Sequence, residues 1–207
     1  MTHSGKPAQE VNMRDSNLAF IDLETTGLDP TRHEIIEIGL VLVKQKRTKK
    51  RGYELLALKE WDVKVKPMRI QDADKIALKI NGYREEDWKS AINLKRALEK
   101  LSKLTKGAII VAQNIAFDWA FLEKAYREYG VPMGMHSKRK LDTVSIWFAK
   151  YHNDPVPEKF SLYHMAKYTG VKNIKAHTAL SDARATFEIY KKVMCQNNPE
   201  QHYNTHF

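Results

Sequence analysis

The chain is poor in cysteine. Its 207 residues include one, Cys195, so no intrachain disulfide can form and burial must stabilise the fold. Long apolar runs are also missing. Segments such as Ala108 to Ala112 fall far short of the roughly 20 residues a membrane-spanning helix needs. The opening MTHSGKPAQEVNMRDSN lacks the apolar core of a signal peptide, so a cytoplasmic protein with no membrane partner is expected. No repeat or low-complexity linker divides the chain. The expected organisation is a flexible segment over residues 1–16, one folded domain over 17–195 and a polar tail over 196–207. Negative charge is in deficit: 35 Lys and Arg against 25 Asp and Glu give a formal charge of +10. A hydrophobic fraction of 43% excludes a disordered chain. The basic excess favours a polyanionic partner, nucleic acid or an anionic surface. A protein that merely happens to be basic is the plainer alternative.

What is present reads as an α/β domain. Strands are expected at Leu18 to Leu23, Glu34 to Val43 (EIIEIGLVLV) and Tyr53 to Val65, linked too closely for crossover helices and hence an antiparallel meander. Helical character follows from Asp72 to Ile80. Ser90 is expected to cap AINLKRALEKLSKL. AIIVA (108–112) reads as a short buried strand and Phe117 to Tyr129 as a helix stopped by Gly130 and Pro132. Lys140 to Thr143 is expected as an edge strand, Ser161 as the cap of a helix to Tyr168, and Thr178 to Met194 as the last helix. This order predicts a mixed sheet.

The chemistry concentrates in a few acidic residues. In FIDLETTGLDP (20–30), Asp22 and Glu24 end a buried strand, and alternation points both to the same side. Buried carboxylates are costly unless paired, hydrogen-bonded or metal-bound, and two like charges on one face repel unless a cation lies near. Asp118 lies in the first turn of an apolar helix. Asp182 lies on the first turns of the last helix, with His177 five residues before it. Taken singly, Asp118 and Asp182 could serve helix N-termini through the macrodipole, with His177 as a near-cap residue. Together, four carboxylates without a thiolate suit Mg²⁺ or Mn²⁺ rather than Zn²⁺. A pair of such ions stabilises attacking and leaving oxygens at phosphorus, and a neutral imidazole can take the proton of the attacking water. The set points to metal-assisted phosphodiester hydrolysis, with the surplus of positive charge attracting the phosphate backbone.

These residues resemble a known family. FIDLETTGLDP, QNIAFDWAFLEKA and HTALSDARAT are similar to the three motifs of the DEDD 3′–5′ exonuclease superfamily. The His-x-x-x-x-Asp form of the third is that of the DEDDh branch, which includes the proofreading subunit of bacterial replicative polymerase, ribonuclease T and oligoribonuclease. The resemblance runs from about Leu18 to about Met194. It implies a ribonuclease H-like fold, a mixed five-stranded sheet flanked by helices, and an exonuclease domain over 17–195. By resemblance, Asp22 bridges two divalent ions, Glu24 and Asp182 complete the site of the ion that activates water, Asp118 holds the second ion, and His177 is the general base. The backbone at Thr25 and Thr26 and the side chain of Leu28 would hold the terminal nucleotide, with Asn114 and Phe117 lining the same pocket. Two positions depart from the family pattern: Gln113-Asn114 stands where many relatives have His-Asn, and Asn81-Gly82 where relatives often have His-Gly.

The remaining features concern the partner. KQKRTKKR (44–51) supplies Lys44, Lys46, Arg47, Lys49, Lys50 and Arg51 at an expected hairpin tip. It is either a solvated end whose charge discourages edge pairing or an arm for the strand upstream of the scissile end. Trp119 and Trp147 sit in apolar helical patterns and are expected in the core, whereas Trp88 is placed near the pocket rim. The expected partner is single-stranded nucleic acid with a free 3′ end. DNA is favoured over RNA, with RNA or oligoribonucleotide trimming and a non-catalytic binding module of the same fold as alternatives. No polymerase anchor is visible, and some relatives are dimers, which leaves a homodimer open.

Overall fold

The structure, a computed structural model, describes residues 12–49, 52–172 and 178–195. His177, Lys50 and Arg51, most of the 1–16 segment and the 196–207 tail lie outside the described residues. Five strands form one sheet: β1 (Leu18–Thr25), β2 (Ile35–Arg47), β3 (Tyr53–Lys64), β4 (Ile109–Ala112) and β5 (Lys140–Asp142). Their order is β3-β2-β1-β4-β5. β1–β2 and β2–β3 pair antiparallel, β1–β4 and β4–β5 parallel. The expected meander and mixed sheet are both present, with β5 at an edge. Among the described residues six α-helices accompany it: α1 (Lys75–Ile80), α2 (Leu94–Leu104), α3 (Ile115–Tyr129), α4 (Thr143–Lys150), α5 (Leu162–Thr169) and α6 (Ala179–Cys195). None of the described helices is long and apolar enough to cross a membrane.

β1 is buried on both faces, which is why it reads as an almost unbroken apolar run. Ala19, Ile21 and Leu23 pack with Leu98 and Leu101 of α2 and with Phe121 and Leu122 of α3. Leu18 and Phe20 pack on the other face with Val41 and Val43 of β2 and with Ala183, Phe187 and Tyr190 of α6. The Phe20 ring meets Phe187 at 5.2 Å and Tyr190 at 5.3 Å, and this contact seats α6 on the central strand. Truncating so buried an aromatic costs about 3–5 kcal/mol. By alternation, Asp22 and Glu24 continue the α6-facing row of Leu18 and Phe20.

Several boundaries differ from expectation. Asn93, not Ser90, caps α2, accepting from the Arg96 N–H. Residues before it are committed elsewhere: Ile92 donates to Lys64 and accepts from Lys66 in a short bridge beside β3. The 72–80 segment is a 3₁₀ turn at Ile70–Asp72 followed by a short helix capped by Asp74. β1 runs on to Thr25, which keeps Glu24 within the sheet. β2 runs on to Arg47, so Lys44, Lys46 and Arg47 are strand residues and not a tip. Trp88 is buried and donates its indole N–H to the Ile36 carbonyl at 2.9 Å. Trp147 is buried as expected, while Trp119 is half-buried under the Lys140 ammonium, 3.8 Å from the ring centre.

Candidate active site

The carboxylates converge because two helices begin at the end of β1. In the parallel register Phe20 faces Val111, so the chain leaves β4 beside Asp22 and turns into α3 there. Asn114 makes that turn in the left-handed region, at φ 57° and ψ 56°, a conformation asparagine tolerates well. Asp118, in the first turn of α3, is 3% exposed and accepts the Leu23 backbone N–H at 3.1 Å. It is therefore tied to the strand between Asp22 and Glu24.

The second helix, α6, arrives through β2. Asp22 pairs with Gly39 and Glu24 with Glu37. A Cβ on Gly39 would collide with the backbone of Ala179 and Leu180. Glycine is thus required for the helix to reach the sheet. Glu37 then accepts the Ala179 N–H at 3.2 Å, serving one of the unsatisfied donors at the helix start. Asp182, nearly a turn into α6, is delivered to Asp22 and Glu24. One oxygen from each of the three carboxylates lies within 4.8 Å of the others.

The electrostatics follow from this crowding. Burial, then the charges of Asp118, Asp182, Glu24 and Glu37, hold the Asp22 carboxyl well above the usual range. Burial first, then Asp182, Glu37 and Asp118, push Glu24 up to about 8. Burial raises Asp118 to about 8 against the pull of its backbone hydrogen bonds. Glu37 is raised by burial, with Lys64 drawing it back. Protons or a cation must compensate such a group. The donor set of Asp22, Glu24 and Asp182, with Asp118 alongside, is entirely carboxylate oxygen, which fits a hard divalent cation.

The residues assigned by resemblance to the terminal nucleotide divide into two kinds. Thr25 donates its hydroxyl to the Gly27 carbonyl at 2.8 Å, and the Thr26 hydroxyl accepts the Glu34 N–H at 2.9 Å. The Thr26 N–H and carbonyl bond Glu34 and Asp74. These two residues are spent on holding the turn after β1. Phe117 is half-buried, its ring 5.0 Å from that of Phe121. Leu28, by contrast, is 77% exposed, an apolar side chain held in solvent in the turn after β1. The departures Asn81 and Gln113 also have local roles. Asn81 donates its amide to the Thr25 carbonyl at 3.0 Å. Gln113 donates to the Phe160 carbonyl and accepts from the Thr143 hydroxyl, both at 2.8 Å, which clamps the end of β4 to α4 and the loop before α5.

The sequence reading missed Glu37. Its signal was there, a charge inside the β-branched run EIIEIG, in the row that faces Glu24. Beside it opens a cavity of about 960 Å³ whose lining includes Lys64, Asn81, Trp88 and Arg184.

The exonuclease family profile, of RNase T type, matches residues 19–190, from β1 to α6. The chain belongs to the exonuclease family. It is 29% identical over 180 residues to a PolC-type DNA polymerase III of Caldanaerobacter subterraneus subsp. tengcongensis, covering 87% of this chain and 12% of that protein. It is 27% identical over 172 residues to the 3′–5′ exonuclease DinG of Staphylococcus saprophyticus, covering 83% and 17%. Protein NEN2 of Arabidopsis thaliana is 28% identical over 181 residues, covering 85% and 34%. The chain thus spans between about an eighth and a third of these curated relatives. Among solved structures, exonuclease I superposes with a TM-score of 0.70 at 18% identity, over 88% of this chain and 41% of that one. A zinc-bound complex of E. coli exonuclease I with single-stranded DNA gives the same TM-score and coverage. These likenesses establish the expected ribonuclease H-like fold.

Proposed function

We propose that the chain is a metal-dependent 3′–5′ exonuclease that hydrolyses the terminal phosphodiester of single-stranded DNA and releases nucleoside monophosphates. The observation that carries this reading is the convergence of Asp22, Glu24 and Asp182 with Asp118 tied between them, in a chain of charge +10. A protein that only binds a polyanion gains nothing from four clustered carboxylates facing it. Single-stranded DNA in the exonuclease I complexes supports the choice of strand.

Asp22, Glu24 and Asp182 would hold one Mg²⁺ or Mn²⁺, and Asp22 with Asp118 a second. Divalent ions in such a site polarise the phosphoryl oxygens and neutralise charge as it builds at phosphorus. The chain supplies the rest. His177 takes the proton of the attacking water. The Leu28 side chain packs against the terminal base. Thr25, Thr26 and Asn81 keep the turn that carries Leu28 in place.

The test is degradation of 5′-labelled DNA and RNA strands of one sequence with Mg²⁺, Mn²⁺ or EDTA. A ladder shrinking from the 3′ end, dependent on metal and faster on DNA, is the expected result. Faster RNA cleavage would reassign the substrate. Binding without cleavage under any metal would sink the enzyme reading and leave a nucleic-acid-binding module.

A further inference from the structure

At the far end of the sheet, β2 and β3 outrun β1. Leu18 pairs with Val43, so the pairs from Lys44 with Leu56 to Arg47 with Tyr53 project beyond it as a two-stranded ribbon. The turn at residues 12–16 is fastened to this ribbon, because the Gln45 amide donates to the carbonyls of Met13 at 2.7 Å and Ser16 at 2.8 Å. Arg14 is thereby brought against the strands. Asn12, Arg14, Arg47, Thr48, Lys49, Gly52 and Tyr53 line a cavity of about 680 Å³.

The charge in this cavity is one-sided. Arg14, Arg47 and Lys49 line it, and among the described residues no acidic one does. Asp15 is engaged by the Asn12 amide, and Glu54 pairs in register with Lys46, which alternates to the opposite face from Arg47. Elsewhere Arg69, Arg84, Lys124 and Arg184 each sit on a carboxylate. Among the described residues, none of the three cavity cations forms an ion pair. Grouped cations without counter-charge suit a ligand carrying several negative charges.

We propose that Arg14, Arg47 and Lys49 form a second, distal site for the phosphates of the strand whose 3′ end occupies the carboxylate site. This rests on the exonuclease reading and adds a footprint to it. Arg47 lies eight residues beyond Gly39, the partner of Asp22. At ~3.3 Å per strand residue the two sites are about 26 Å apart. A stacked strand advances ~3.4 Å per phosphate, so about eight nucleotides bridge them, and fewer when the strand is stretched. The face matters: Lys44 and Lys46 continue the row of Ile38 and Leu40, which packs on α2 and α3, and take no part.

The test uses the full chain and 3′-phosphorothioate oligodeoxynucleotides of 4, 8, 12 and 20 residues, with binding read by anisotropy across salt concentrations. R14Q/R47Q/K49Q is expected to weaken 12- and 20-mer binding about tenfold and leave the 4-mer unchanged. Its salt slope falls by about 2, at ~0.7 for each single-strand phosphate no longer neutralised. K44Q/K46Q, which removes charge from the other face, changes 20-mer binding less than twofold. Circular dichroism and melting show that both variants are folded. Equal losses in the two variants would reduce the effect to net charge and overturn the proposal, as would a loss on the 4-mer or none on the 20-mer. A 20-mer with a bulky 3′ block should bind the wild type more weakly than the open strand. Equal binding would make the cavity an independent site and also overturn it. Hydrolysis of an unmodified 20-mer by the wild type with Mg²⁺ or Mn²⁺ keeps the readings apart, because its failure sinks the exonuclease assignment and leaves the length dependence of binding standing.

Discussion

The two ends of the sheet carry opposite charge in opposite ways. At the C-terminal end of β1, acidic groups are buried or half-buried and crowded, Asp118 accepts the Leu23 N–H, and Glu37 accepts the N–H that starts α6. At the ribbon end, basic groups are exposed and among the described residues form no ion pair. On the proposed function, the difference separates two tasks. Positioning a cation at a reacting phosphate demands oxygens held to fractions of an ångström. Attracting a polymer of phosphates demands only density of charge. Changes at the carboxylate end should therefore destroy rate, and changes at the ribbon should erode affinity.

The largest effect is expected from Asp22→Asn. The substitution keeps size and removes the charge shared by the whole cluster. Turnover should fall by ~10³-fold or more, about 4 kcal/mol of barrier. Metal-free binding of a 20-mer should hold, because attraction of the phosphate backbone is assigned to the ribbon. If rate and metal-free affinity fall together by similar factors, the division between the two ends is wrong.

Gly39→Ala comes next and attacks geometry without touching a charged atom. The added methyl meets the backbone of Ala179 and Leu180, so α6 must shift and take Asp182 with it. Misplacement of about 1 Å can cost ~10² in rate, and overpacking costs about 1–3 kcal/mol of stability. Assay and thermal melting on one sample check both. A variant as active as the wild type would show that α6 does not need this seat.

How much of this was legible before the structure depends on the kind of signal. Local patterns were. The β1 run, the cap at Ser161 and the alternation that sends Asp22 and Glu24 to one side all follow from short-range sterics. Long-range pairing was not. Nothing near Glu37 in sequence reveals that it lies opposite Glu24, or that Gly39 leaves room for a helix 140 residues later. The misplaced cap of α2 has the same origin. Ser90 is a good local cap, but the bridge of Ile92 to Val65 fixes the residues after it as extended. The motifs marked Thr25 and Thr26, and only the hydrogen bonds show that their side chains serve the turn.

The acidic end should also answer to pH. Glu24 and Asp118 rise from ordinary values of 4.5 and 3.8 to about 8 in the folded protein. Between those limits the folded state holds protons that the unfolded chain has released. Their contribution is therefore complete below about pH 4 and is lost as pH climbs through about 8. In EDTA the melting temperature should fall from pH 5 to pH 9. Mn²⁺ should restore it, and by more at higher pH, because binding must displace fewer protons. Metal stabilisation of equal size at pH 5.5 and 8.5 would contradict the burial and crowding assigned to these carboxylates.

The smallest effect is expected at Glu37, where charge and hydrogen bonding can be separated. Its oxygen accepts from Ala179, and its charge adds to the repulsion on Glu24. Glu37→Gln keeps an acceptor and relieves the repulsion, so activity should stay within about threefold of the wild type. Glu37→Ala leaves the helix N–H buried and unserved, at a cost of about 1–3 kcal/mol, and loosens the start of α6. The pair of melts and rates distinguishes a residue that holds the helix from one that acts on substrate. If Glu37→Gln is as inactive as Asp22→Asn while melting normally, Glu37 belongs with the cation-binding carboxylates, and the acidic end has five functional charges instead of four.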